Sequence, residues 1–151
     1  MAGQVIGMLL TVLLLWGGRD RVWTPTYEGD QWTRFERGIL HYKTKMGLRD
    51  HLVFEYGVAR TGRAAKERWC ASVEQSWIAP RGGFEAQLVT RVIYYGAREK
   101  PCNRNRPELT ALHESCHLRM MHHRGALGND VMAKEAEVRA CMTWYGAKER
   151  R

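Results

Sequence analysis

Pro107-Glu108-Leu109-Thr110-Ala111-Leu112-His113-Glu114-Ser115-Cys116-His117-Leu118-Arg119-Met120-Met121-His122-His123 is the stretch on which the fold turns. Proline suits the first position of a helix, where its missing N–H costs nothing, and Glu108 suits the positive end of the helix dipole. A helix is therefore predicted from Pro107 to about His123, with Gly125 and Gly128 stopping it. On that helix His113 and His117 lie one turn apart on one face, where two imidazoles can hold one Zn²⁺. Glu114 sits about 100° away around the axis, suited to a metal-bound water rather than to the metal itself.

A catalytic zinc needs three protein ligands and one open position. His123 follows His117 at the spacing of H-E-x-x-H-x-x-G-x-x-H, but Met120 stands where that pattern has glycine. On an unbroken helix His123 lies about 15 Å along the axis from His113, too far to share an ion. His122 fails for the same reason. The remaining source is a second helix, predicted from an N-cap at Asp130 to about Tyr145, with Gly146 as the residue that ends it. It carries Glu135 and Glu137. Glu137 is favoured because Ala133, Ala140 and Trp144 share its side, a face of mostly small residues that permits close approach; Glu135 is the alternative.

Upstream, the period changes from helical to two. Leu52, Phe54, Tyr56 and Val58 alternate with other residues, as do Trp69, Ala71, Val73 and Trp77, and then Ala86, Leu88, Thr90, Val92 and Tyr94. Pro80-Arg81-Gly82-Gly83 is a turn signal, so residues 69–95 read as a β-hairpin joined to the earlier strand. Residues 60–68 read as a basic loop or short helix. Asp30 is placed to cap another helix, with Trp32, Phe35 and Ile39 at helical spacing and Gly38 as its weak point. The fold expected is α+β: a small antiparallel sheet followed by two helices bearing the H-E-x-x-H zinc site, with a hydrophobic N-terminal helix.

Three regions follow: a hydrophobic segment over 1–20, a linker with a short helix over 21–48, and a domain over 49–147. Ala2 to Gly18 contains no charged side chain. Seventeen helical residues span roughly 25 Å, just short of a hydrocarbon core, so the segment reads as a possible membrane anchor. Without a basic start or a small-x-small cleavage site, it fits a cleaved signal peptide poorly. Arg19 and Arg21 follow it, which by the positive-inside tendency places the domain in the cytoplasm. The alternative is a soluble cytoplasmic protein in which the segment is a buried core helix or an upstream extension that is not part of the domain.

A chain of 151 residues with 44% apolar side chains and six tryptophans can bury a core, which excludes a disordered protein. Its formal charge of +8 is scattered, which suits a solvated surface better than a nucleic-acid groove; nucleic acid stays an uncertain partner. Cys70, Cys102, Cys116 and Cys141 contain no C-x-x-C pair, which argues against a four-cysteine zinc site. Disulfides outside the cytoplasm and buried thiols inside it both remain open.

With these residues in place, the segment over about 50–145 resembles the small gluzincin-type zinc metallopeptidases of bacteria and phages. In that family a short sheet precedes the H-E-x-x-H helix and a second helix supplies a glutamate ligand. Glu137-Val138-Arg139-Ala140 resembles the metal-ligand helix of the mitochondrial intermembrane-space processing peptidases. It is similar, more loosely, to the E-x-E-A helix of phage-repressor-cleaving regulators. Ser115-Cys116 departs from the bulky apolar pair often found between the two histidines.

The expectation is a zinc-dependent peptidase acting on a peptide or protein substrate. His113, His117 and Glu137 would bind Zn²⁺, and Glu114 would take a proton from the metal-bound water and pass it to the leaving amine. Tyr94, Tyr95 and Tyr145 are candidates to stabilise the oxyanion, and the strand ending near Tyr94 is a candidate to pair with the substrate backbone. The competing expectation is a non-catalytic zinc-stabilised binding module, membrane-anchored or bound to nucleic acid.

Overall fold

Asp30 begins the first helix of the computed structural model, which describes residues 22–78, 87–96, 102, 105–124 and 135–149. Its carboxylate accepts the backbone N–H of Thr33 at 2.8 Å, satisfying a donor that has no partner within the helix. The helix α1 spans Gln31–Lys45, and Phe35, Ile39 and Tyr42 make its fully buried stripe. Strand β1 follows at Leu52–Tyr56, then a short helix α2 at Gly62–Glu67, strands β2 at Ala71–Ile78 and β3 at Gln87–Tyr94, and helices α3 at Pro107–Arg124 and α4 at Glu135–Glu149. The fold is α+β, as expected.

The sheet is mixed, not antiparallel throughout. Its order is β1-β3-β2, with β2 antiparallel to β3 and β1 parallel to β3 in the register Leu52 to Thr90 through Tyr56 to Tyr94. The hairpin expected over 69–95 is present as β2 and β3; its Pro80–Gly83 turn lies outside the described residues. β1 adds to the far edge of β3, and a parallel neighbour needs a long connection, which α2 and β2 supply. Alternation alone does not distinguish the two directions, because both put every second side chain on one face.

Helix α3 is the centre of the packing: α1 lies along it, and β2 and α4 touch it. On the sheet side Phe35, Ile39, Ala71, Val92, Tyr94 and Ala111 form one core. Phe35 stacks on Tyr94 with ring centroids 4.4 Å apart. On the other side Tyr42, Leu112, Cys116, Val138, Cys141 and Tyr145 form the second. Gly38 belongs in α1 because of this crossing, since a Cβ there would lie 2.6 Å from the Ala111 Cβ.

All four cysteines are paired, Cys70 to Cys102 and Cys116 to Cys141, with Cα atoms 5.4 and 5.9 Å apart. The second bond joins α3 to α4 from within the H-E-x-x-H motif. Gly146 does not end its helix, as the sequence suggested, but lies inside α4. A Cβ there would meet Val22 Cγ1 at 2.9 Å and the Trp23 backbone at 3.1 Å, so glycine lets residues 22–23 cross directly over the helix. The expected cap at Asp130 and the expected hydrophobic N-terminal helix lie outside the described residues. Among the described residues no helix is long and apolar enough to cross a membrane.

Candidate functional site

Proline at its first position and an acidic residue in its first turn start α3 as the sequence predicts, and the helix runs unbroken through the motif. His113 and His117 therefore share a face, their Nε2 atoms 3.0 Å apart and their ring centroids 4.8 Å apart. That is hydrogen-bond distance, and which ring donates its N–H to the other's lone pair is set by their tautomers. Both rings are partly exposed, whereas Glu114 between them in sequence is buried, with 7% of its surface accessible. Leu109, one turn before His113, and Met120, beyond His117, are partly buried along the same helix. His122 and His123 are in the helix, but their side chains are outside the described residues.

The three-ligand zinc centre expected from the sequence is not assembled. Among the described residues no group of three or more His, Cys, Asp or Glu side chains comes together as a metal site. Helix α4 meets α3 along one face. Its packed face is Val138, Cys141 and Tyr145, pinned to α3 by the Cys116–Cys141 disulfide. Ala140 and Trp144, the small-residue face on which Glu137 was expected to approach the histidines, are exposed, Trp144 by 59%. Glu137 itself is partly buried, and the Glu135 side chain lies outside the described residues. Both the zinc-dependent peptidase and the zinc-stabilised module are therefore set aside.

The tyrosines expected at an oxyanion have other surroundings. Tyr94 is fully packed against Phe35, and its burial, the larger influence, raises its phenol to about 12. The Tyr95 hydroxyl faces Ser72 Oγ at 3.3 Å. Tyr145 sits in the second core with the Arg119 guanidinium 5.5 Å from its ring centre. β3, the strand expected to pair with a substrate, is the central strand, with both edges already occupied.

A second feature was not singled out in the sequence. Val22, Trp23, Arg106, Leu109 and Met142 line a cavity of about 490 Å³ where the N-terminal strap meets α3 and α4. Arg106 holds the strap, donating from Nη2 to Thr24 Oγ1 at 2.7 Å and from Nη1 to Thr26 Oγ1 at 2.9 Å. Tyr27 continues it, its backbone N–H donating to Glu108 Oε1 at 3.0 Å. The cavity wall is otherwise apolar, and Trp23 keeps 42% of its surface exposed. No local sequence signal marks this cavity, because its walls come from three separate segments.

Comparison of the chain with protein-family models, with curated proteins and with solved structures finds no match.

Proposed function

We propose that this chain is a binding domain that works outside the cytoplasm, tethered to a membrane by the uncharged stretch 2–18. The observation that carries this reading is the pair of disulfides. They close separate loops, with sequence separations of 32 and 25. Chain-entropy arguments put each at roughly 3.5 kcal/mol, about 7 kcal/mol together. A domain's whole stability is about 5–15 kcal/mol, so a reduced chain would lose a large part of it. Reducing cytoplasms keep such bonds open, and oxidising compartments keep them closed.

Arg19 and Arg21 pull the opposite way, since positive charge after an apolar segment favours the cytoplasmic side. Two arginines bias an insertion; two disulfides are a condition of the folded state. We give the disulfides priority, against the cytoplasmic placement read from the sequence.

The test is to trap thiols by alkylation in intact cells producing the full chain, then count modified cysteines by mass. No modification before reduction and four after it are expected. Four modified before reduction would overturn the placement. Flotation of the same chain with lipid vesicles checks the tether separately, and a chain left at the bottom of the gradient would remove that part.

A further inference from the structure

We infer that the cavity bounded by Trp23, Arg106, Leu109 and Met142 is a docking site for an anionic phospholipid bilayer surface, which turns this end of the domain towards the membrane. The inference deepens the tethered reading and rests on it. Val22, a wall of the cavity, is separated from the uncharged stretch 2–18 by residues 19–21 alone. Gly146 lets Val22 and Trp23 lie flush on α4, so the point where the tether leaves the domain is set by backbone contact. A tether that short cannot carry the cavity far from the lipid: the four residue steps from Gly18 to Val22 reach about 14 Å at most.

The chemistry at that point suits a bilayer interface. Trp23 presents a large ring with one polar N–H, the kind of side chain that settles at the headgroup level. Leu109 and Met142 offer an apolar recess for acyl carbon. Arg106 brings a guanidinium that donates to two neutral threonine hydroxyls, which leave its positive charge uncancelled and suited to a phosphate. The chain's formal charge of +8 attracts it to an anionic surface before these contacts form.

The test is hydroxyl-radical footprinting of the full chain on phosphatidylcholine vesicles with and without phosphatidylglycerol, read by mass spectrometry. Oxidation of Met142 and Trp23 is expected to fall several-fold on the anionic vesicles relative to Trp32, an exposed tryptophan on α1 that serves as internal reference. Neutral vesicles should leave the ratio unchanged. Trp23→Ser, a change at an exposed side chain, should reduce the protection of Met142 with both disulfides intact. Equal oxidation on both vesicles, by a protein that floats with them, overturns the docking site while leaving the tether. Failure to float removes the tether instead, and protection by inorganic phosphate without lipid would reassign the site to a free anion.

Discussion

Arg34 grips Glu108 at two points, Nε to Oε1 at 2.7 Å and Nη2 to Oε2 at 2.9 Å, across the contact between α1 and α3. The carboxylate is wholly buried, and the Tyr27 N–H adds a third bond. Removing one partner leaves a buried charge without its counter-ion, which costs about 3–5 kcal/mol. Arg34→Met should therefore destabilise by that amount, read as a lower denaturation midpoint at neutral pH. The double change Arg34→Met, Glu108→Met should recover much of it, because neither half then leaves a charge. A double variant as weak as the single one would show that shape, not charge, decides the site.

The same pair sets a response to acid. Burial alone would raise the Glu108 carboxyl, but the hydrogen bonds from Arg34 and the Tyr27 backbone more than offset it and hold it below its ordinary range. Glu149 behaves likewise: burial raises it, while Lys45 and His41 bring it below the usual value. A carboxyl lowered by folding contributes stability above its unfolded pKa of about 4.3 and loses it as pH falls through the folded value. Melting temperature should thus fall as pH drops below about 4.3, and Glu149→Gln should flatten that fall. A melting temperature unchanged through this range would contradict both assignments.

Local features of the fold were legible in the chain. Asp30 caps α1, Pro107 opens α3, and period-two runs give β2 and β3, because each signal and its consequence lie within a few residues. Pairings between distant segments were not. The parallel union of β1 with β3 depends on which edge is free, and the Arg34–Glu108 pair spans 74 residues. Helical spacing places His113 and His117 side by side, as their 3.0 Å contact shows. The third ligand was not legible in the same way, because which face of α4 meets α3 is a tertiary property. Cys116 and Cys141, not the small face of Ala140, decide how α4 turns towards α3.

Gly38 tests the α1–α3 crossing. Alanine normally improves a helix interior over glycine by about 1 kcal/mol. Here its Cβ would lie 2.6 Å from the Ala111 Cβ, closer than two carbons pack, and the α3 backbone at Glu108 stands behind at 3.5 Å. Overpacking of a tight core costs about 1–3 kcal/mol, which exceeds the propensity gain in most of that range. Gly38→Ala should destabilise despite its helix preference, and adding Ala111→Gly should show coupling by recovering part of the loss. Stabilisation by Gly38→Ala alone would mean the helices separate freely.

The fold's response to metal removal is open to direct measurement. Its two cores are apolar and its covalent ties are Cys70–Cys102 and Cys116–Cys141, so nothing described in the fold requires an ion. A structural zinc contributes on the order of 10 kcal/mol to small domains that depend on it, and a chelator unfolds them. Treatment with EDTA should leave the melting temperature unchanged, whereas a reductant should lower it, and Cys116→Ser with Cys141→Ser should cost about 3.5 kcal/mol. Stoichiometric zinc in the purified protein, with a chelator lowering the melting temperature, would restore the metal centre that the described residues do not assemble. The paired treatment separates the two cases because one agent acts on thiols and the other on ions.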